Sequence, residues 1–119
     1  MNILYVALGG ALGAVLRYLI SLLPFKGDFP FLTLLTNLLG ALIIGFIVGV
    51  AESKEVNPNT ILFLKTGFCG GFTTFSTFSL ETFNLFEKKK YGMGTAYAGL
   101  SLVLCVAGVL IGRVLASRR

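Results

Sequence analysis

The 119-residue chain contains no histidine, no tryptophan and only two cysteines. Without histidine, it lacks the side chain that most often serves as a proton relay or general base near neutral pH. Cys69 and Cys105 both lie in apolar stretches. We expect them to be small buried apolar residues, since they form no metal-ligand pattern. No activated nucleophile and no nucleotide-binding loop is visible either. The sequence therefore argues against an enzyme.

Charged residues are also scarce. They make up 13% of the chain, hydrophobic residues make up 55%, and the mean hydropathy is +0.88, whereas a soluble domain carries about 25% charged residues. Such a chain is too apolar for a soluble globule or for intrinsic disorder. The ten Lys and Arg exceed the five Asp and Glu, but they are scattered and form no basic stripe. We therefore predict an integral membrane protein that contacts lipid headgroups and no nucleic acid.

Four apolar stretches are long enough to cross a bilayer, which needs about 20 residues per helix. They cover approximately residues 3–23, 31–50, 60–86 and 93–115. The first has no charged leader and no small-residue cleavage site, so we expect it to be kept as a span. The prediction is an all-α membrane protein, with residues 1–119 forming a single domain of four transmembrane helices.

The cations are divided almost evenly between the two membrane faces. Four spans place the termini and the second loop on one side, here called the loop-2 face, and the other loops on the loop-1/3 face. The loop-1/3 face carries Lys26, Lys88, Lys89 and Lys90, and the loop-2 face has Lys54, Lys65, Arg113, Arg118 and Arg119 at or near it. An imbalance of cations is what orients a membrane protein. Insertion in both directions is therefore expected, which permits a dual-topology antiparallel homodimer.

The third stretch differs in composition from the other three. Its segment 67–81 reads GFCGGFTTFSTFSLE and contains three glycines and five Ser or Thr residues. Gly70 and Gly71 mark the place where we expect this helix to break near its middle, because glycine tolerates non-helical backbone. Unwound backbone at membrane depth is tolerated only where it is buried in protein or faces a polar cavity or an ion. The segment is therefore predicted to be functional.

Phe75 and Phe78 in this segment are three residues apart and share one helix face. Such rings can simply pack in a core, or their positive edges can hold a small desolvated anion. Ser and Thr hydroxyls beside the rings can donate hydrogen bonds to the same anion, or can bond back to carbonyls of their own helix. The hydroxyl residues concerned are Thr74, Ser76, Thr77 and Ser79.

Two ionisable residues lie deep in predicted spans, where charges tend to mark function. Arg17 can bond carbonyls or a carboxylate such as Glu81, or it can draw anions into a vestibule. Glu81 can pair with Arg17 or Lys65. Lys65 lies nearer a span end, where its long side chain is expected to reach the interface.

Polar side chains in the second and fourth spans leave two interpretations open. Asn37 either forms an interhelical hydrogen bond over a small-residue packing face or donates its NH₂ group along an anion path. Tyr97, Ser101 and Cys105 are spaced by four residues and form one stripe. That stripe is either a hydrogen-bonding track or a packing face.

Three motifs together resemble the fluoride channel family known as Fluc or CrcB, over nearly the whole chain. They are Gly10-x-x-Gly13-Ala14-x-x-Arg17-Tyr18, Thr33-Leu34-x-x-Asn37-x-x-Gly40, and the long third-span motif from Gly67 to Glu81. The resemblance implies a fluoride-selective passive ion channel that exports cytoplasmic fluoride and protects against its toxicity. It also implies a multi-pass protein of the bacterial cytoplasmic (inner) membrane, working as an antiparallel homodimer with two pores.

The resemblance also implies roles for individual residues. The fluoride pore would be lined by Phe75, Phe78, Asn37, Thr74, Ser76, Thr77, Ser79, Tyr97 and Ser101, with Arg17 at an aqueous vestibule. A structural sodium ion at the dimer interface would be held by the backbone carbonyls of Gly70 and Thr73. The chain departs from the family pattern at Leu32, Thr36 and Cys105. The thiol of Cys105 is a weak donor, so it weakens the far end of the track.

An alternative is a small dual-topology multidrug exporter. Such a proton-coupled carrier needs a membrane-embedded carboxylate, usually in the first helix, where this chain has Arg17 and no acid. The chain also lacks tryptophan for stacking cationic drugs. A non-transporting membrane scaffold is a third possibility, but it would leave the Gly, Thr and Phe segment unexplained.

Overall fold

The computed structural model describes residues 2–117, and this part of the chain is helical with no β-strand. Helix α1 covers Asn2–Ser21, α2 covers Phe31–Ser53, α4 covers Phe75–Glu87 and α5 covers Tyr91–Ser117. Between α2 and α4 lies α3, a continuous helical segment over residues 58–72. It consists of Pro58–Ile61, a π-helix over Leu62–Cys69, and Gly70–Phe72. The predicted all-α fold class is confirmed.

Three helices, α1, α2 and α5, are each long and apolar enough to cross a membrane. The third predicted span is present as two shorter helices, α3 and α4, with Thr73 and Thr74 between them. Helix α1 ends two residues before the predicted boundary, whereas α2 and α5 extend two or three residues beyond theirs. The prediction that the third helix is broken is thus confirmed, but the break lies at a different position from the one predicted.

The break lies at Thr73 and Thr74, and the prediction that Gly70 and Gly71 unwind was wrong. Gly70 is helical at φ −62° and ψ −39°, and the helix continues to Phe72. Thr73 and Thr74 are extended, with ψ values of 158° and 124°. Thr74 then caps α4, because its hydroxyl oxygen accepts a hydrogen bond from the Thr77 N–H at 3.2 Å. Threonine is favoured in both roles, as a β-branched residue in extended backbone and as a helix cap.

Gly71 serves close packing instead of unwinding. A Cβ atom at this position would overlap the carbonyl oxygen of Gly10 on α1, and one at Gly13 would overlap that of Phe68 on α3. Helices α1 and α3 therefore touch backbone to backbone. Small residues allow this approach in membranes, where packing contacts rather than the hydrophobic effect hold helices together.

Helices α2 and α5 form a second close pair of the same kind. A Cβ at Gly45 would overlap the carbonyl of Val109, and one at Gly112 would overlap that of Leu42. At the loop-2 end of this pair, Arg113 and Glu52 form an ion pair with Nη2 2.7 Å from Oε1. The helix break lies where the α1–α3 pair meets the α2–α5 pair.

Candidate functional site: an open groove beside the helix break

An open groove with a volume of about 620 Å³ runs beside the break. Its walls come from α2, from α3 with the start of α4, and from α5. They include Asn37, Ile44, Lys65, Cys69, Gly70, Thr73, Thr74, Phe75, Phe78, Ser101, Cys105 and Val109. Within residues 2–117 nothing closes the groove, and the Phe75 side chain is 78% exposed.

Asn37 on α2 holds the break in place. Its Nδ2 donates to the Thr74 carbonyl at 3.1 Å, and its Oδ1 accepts from the Thr74 N–H at 2.8 Å. One side chain thus pairs both backbone groups of an extended residue, as a neighbouring β-strand would. Gly40, one turn further along α2, leaves room for the methyl group of Thr73. The interhelical hydrogen bond expected as one role for Asn37 is present, and Nδ2 keeps a second N–H.

Arg17 on α1 holds the other side of the break. Its Nε donates to the Gly71 carbonyl at 3.1 Å, which matches the expectation that this residue bonds carbonyls. The side chain also borders a small cavity of about 120 Å³. The other residues around this Arg17 cavity are Tyr18, Ser21, Leu32, Thr33, Thr36, Thr74 and Thr77. A guanidinium has five N–H donors, so four are left for the hydroxyl-rich cavity.

Back-bonding accounts for part of the hydroxyl content of the segment. Thr73 donates to the Cys69 carbonyl at 2.8 Å, and Ser79 donates to the Phe75 carbonyl at 2.9 Å. Ser79 borders neither the groove nor the Arg17 cavity. The hydroxyls of Thr74 and Ser76 lie 3.4 Å apart. Ser79 therefore bonds back to a carbonyl of its own helix, as one of the two interpretations expected. Thr74 instead caps helix α4 and lines both the groove and the Arg17 cavity.

Four aromatic rings form a row from the groove towards the loop-1/3 face. The ring centroids are 5.6 Å apart from Phe75 to Phe78, 5.2 Å from Phe78 to Tyr97, and 5.5 Å from Tyr97 to Phe29. The first two contacts are tilted, and the last is edge-to-face, at 83°. Both the packing and the ring-edge interpretations of Phe75 and Phe78 fit this geometry, because Phe78 packs in the row while Phe75 stays exposed.

A hydrogen-bonded cluster around Glu81 lies beside the row. Glu81 accepts from the Thr33 hydroxyl at 3.0 Å and from the Tyr97 hydroxyl at 2.9 Å. Among residues 2–117, Glu81 therefore bonds Thr33 and Tyr97 and neither of the partners considered from the sequence, Arg17 and Lys65. Helices α4 and α5 run antiparallel on either side of a short turn, and Glu81 and Tyr97 each lie six residues from the helix end at that turn. They are consequently at the same depth.

The carboxylate of Glu81 also borders an outer pocket of about 300 Å³ that opens among the residues of loop 1. Loop-1 residues Phe25, Asp28 and Phe29 contribute to its lining, together with Asn84 of helix α4 and Lys88 just after that helix. The outer pocket, the aromatic row and the groove thus follow one another from the loop-1/3 face inward.

The Tyr97, Ser101 and Cys105 stripe connects the Glu81 cluster to the groove. Tyr97 is completely buried, and Ser101 is 6% exposed. The Ser101 hydroxyl has no hydrogen-bond partner among residues 2–117 and is part of the groove wall, as is Cys105. A buried hydroxyl without a partner is costly. Ser101 therefore has a donor available for something that enters the groove.

The match to a known family covers most of the chain, including the broken helix and the helices that pack against it. The family described as "CrcB-like protein, Camphor Resistance (CrcB)" matches residues 4–113. The chain belongs to the CrcB family. Relatives that carry the name "Fluoride-specific ion channel FluC" share 36–49% identity with it over most of its length.

In three of these relatives the similarity covers nearly the whole of both chains. The protein of Clostridium novyi is 49% identical over 92% of this chain and 89% of its own length. That of Ruminiclostridium cellulolyticum is 45% identical over 98% and 92%. That of Thermococcus kodakarensis is 44% identical over 95% of this chain and 94% of its own length. About nine tenths of the length of each relative is thus matched by this chain.

In this CrcB-family chain, most of the predicted site residues come together. The groove brings together Phe75, Phe78, Asn37, Thr74 and Ser101, with Gly70 and Thr73 on the same wall. Arg17 and Thr77 border the Arg17 cavity, and Tyr97 lies between groove and outer pocket. Ser76 and Ser79 border neither. Sequence reasoning gave no role to Thr33, although its place opposite Glu81 makes it part of the site.

Proposed function

We propose that this CrcB-family chain is a fluoride-selective passive ion channel that lets fluoride leave the cytoplasm and so protects the cell from its toxicity. The proposal places it in the bacterial cytoplasmic membrane. The relatives named as fluoride channels support the substrate. The observation that carries the mechanism is the break at Thr73 and Thr74, held open by Asn37 beside an exposed Phe75 and an unpaired buried hydroxyl on Ser101.

The groove offers donors without a fixed charge at its centre. Fluoride is small and strongly hydrated, so a selective pore must replace its water with other donors. The second N–H of Asn37, the Ser101 hydroxyl and the ring edges of Phe75 and Phe78 can do this. Neutral donors bind an anion without trapping it, and conduction requires binding of that moderate strength. The Glu81 cluster and outer pocket would continue the path to the loop-1/3 face.

The proposed channel is an antiparallel homodimer. Backbone that leaves the helix at membrane depth cannot face lipid, so the open groove and the exposed Phe75 call for a protein cover. Arg17 lies four residues from the end of α1 at the loop-1/3 face. Counting it there gives five cations on each side of the membrane. Such balance favours insertion in both directions, and a second, inverted copy would supply the cover and a second pore.

A structural sodium ion at the dimer interface is part of the proposal, and the residues present fit it. In a continuous helix the Gly70 carbonyl would pair with the Thr74 N–H, which is instead bound to Asn37. Gly70 is exposed on the groove wall, and a Cβ there would meet nothing within 4 Å. The carbonyls of Gly70 and Thr73 would hold the ion, since free carbonyls at helix breaks bind sodium. When bound, it supplies positive charge near the groove.

The decisive experiment measures fluoride efflux from liposomes containing the purified protein, with chloride as control. We expect fluoride flux without chloride flux. Phe75→Ala and Phe78→Ala should each lower the flux by about tenfold or more, since each removes a ring edge from the groove. Phe83→Ala is the matched control, because Phe83 is on the same helix, is 60% exposed and borders no cavity described above. Absence of flux, or equal flux of both anions, would refute the channel.

The dual topology has its own test. A single cysteine at Val56→Cys in loop 2, with Cys69 and Cys105 replaced by serine, is treated in intact cells with a membrane-impermeant thiol reagent. We expect about half of the protein to be labelled, because the two orientations should be equally populated. Labelling of all molecules, or of none before the cells are opened, would show a single orientation.

A further inference from the structure

Lys65 is a charged residue in the proposed transport path that has no role so far. It lies in the π-helical part of α3, seven residues after Pro58, or about 10 Å into the helix at about 1.5 Å per residue. Its side chain is exposed on the groove wall. Among residues 2–117, the ion pairs are Lys90–Asp28 and Arg113–Glu52. Lys65 has no acidic partner in the described part of the chain.

The position of Lys65 sets it at one end of the groove. It precedes the break by eight residues on a helix that begins at the loop-2 face, whereas Asn37 and Ser101 lie deeper. No Asp or Glu lines the groove among the described residues. A lysine at membrane depth is costly unless its ammonium group stays hydrated or paired. A covered groove that fluoride can enter from the loop-2 face would also admit the water for that hydration.

We propose that the Lys65 ammonium group attracts fluoride into the loop-2 end of the groove and raises its local concentration ahead of the neutral donors. This inference rests on the proposed fluoride channel function. A hydrated point charge on a flexible stem attracts an anion without forming a fixed, tight site. Charge at the mouth of a cleft with low-dielectric walls concentrates ions of the opposite sign. Lys65 therefore assists entry and leaves selectivity to the deeper groove.

The test compares Lys65→Gln, Lys65→Arg and Lys65→Glu with the wild type in fluoride efflux from liposomes, over a range of fluoride concentrations. Lys65→Gln should raise the half-saturating fluoride concentration by about three- to tenfold, with a maximal rate within about twofold of wild type. Lys65→Glu should raise it further, and Lys65→Arg should stay near wild type. The matched control is Lys54→Gln, which removes an exposed cation of loop 2 that borders no groove.

Ionic strength provides a second readout that a structural role would not move. An impermeant salt at about 0.5 M should reduce the difference between Lys65→Gln and wild type, because salt screens the attraction. An unchanged half-saturating concentration in Lys65→Gln would overturn the proposal. So would a lower maximal rate accompanied by loss of the dimer, since Lys65 would then hold the interface. Wild-type protein without fluoride flux would instead refute the channel function, and this inference with it.

Discussion

The two long helices α2 and α5 and the broken segment α3–α4 are stabilised in different ways. Helices α2 and α5 touch through glycines, such as Gly45 against the backbone of Val109, and contain no break. The end of α3 and the start of α4 are instead held by side chains that bond backbone groups, with Asn37 on Thr74 and Arg17 on Gly71. The α2–α5 pair is thus held by close backbone packing. At the break between α3 and α4, side-chain hydrogen bonds replace the bonds that a continuous helix would form.

This difference follows from the solvent. In lipid every backbone N–H and C=O must find a partner, so a helix can be interrupted only where side chains replace its internal bonds. Asn37 does so for both groups of Thr74, which leaves the Gly70 carbonyl and the Phe75 ring facing the groove. The glycine-packed pairs on either side fix the distance between the partners. The close packing of the helix pairs thus keeps the side chains and the backbone groups of the break within hydrogen-bonding distance.

The largest effect is expected from Asn37→Ala, which removes both bonds to Thr74. Two backbone groups at membrane depth would lose their partners, at about 1–3 kcal/mol each. We expect a fall in fluoride flux of about tenfold or more and a lower unfolding temperature in detergent. Asn2→Ala, which changes an exposed amide at the start of α1, should alter neither. Wild-type flux and stability in Asn37→Ala would show that the break holds itself open.

A second effect should appear in the α2–α5 pair. Gly45→Ala places a methyl group against the Val109 backbone, and such overpacking typically costs about 1–3 kcal/mol. Gly99→Ala on α5 is its control, because a Cβ there meets nothing within 4 Å. Its unfolding temperature should stay the same or rise, since alanine favours helix. Equal behaviour of the two variants in thermal unfolding would mean that α2 and α5 are less closely packed than described.

A third, smaller effect concerns Arg17, which bonds the Gly71 carbonyl from the opposite side of the break. Arg17→Lys keeps the charge but loses the Nε donor of a planar guanidinium. We expect fluoride flux to fall by about two- to fivefold, corresponding to one weakened hydrogen bond of about 1 kcal/mol. Arg17→Gln should fall further. If Arg17→Lys matches wild type while Arg17→Gln does not, the charge at the cavity matters and the bond to Gly71 does not.

The sequence predicted the break but not its location, for a physical reason. Glycine pairs mark both sites of unwinding and sites of close approach, and only the position of α1 shows that Gly71 serves the second purpose. The roles of Thr73 and Thr74 depend on Asn37, which is distant in sequence. Long apolar stretches, by contrast, are a direct sequence signal for helices that cross a membrane. The predicted bounds of the four stretches therefore lie within a few residues of the helix ends in the structure.

The partners of Glu81 show what could have been predicted from the sequence. Glu81 and Tyr97 are equally distant from the short turn between α4 and α5, and antiparallel helices place such residues side by side. Thr33, on α2, has no comparable signal, because its contact with Glu81 depends on how the two helix pairs dock. The local sequence pattern therefore predicts the helices and the Glu81–Tyr97 contact between neighbouring helices. The Thr33–Glu81 contact follows only from the tertiary packing.

The smallest effect should come from the Lys90–Asp28 ion pair, which joins loops 1 and 3 outside both regions. The hydrogen bond from Lys90, followed by its charge, lowers the pKa of Asp28 below the ordinary 3.8. A carboxyl with a lowered pKa stabilises the fold above its ordinary value, and this contribution is lost as the pH falls through the lowered pKa. Asp28→Asn should thus lower the unfolding temperature slightly at neutral pH, and the difference should vanish as the pH falls through the lowered pKa of Asp28. Because the pair is exposed, salt should weaken it too. A loss as large as that of Gly45→Ala would place the stabilising contacts in the loops, contrary to the comparison of the two membrane regions.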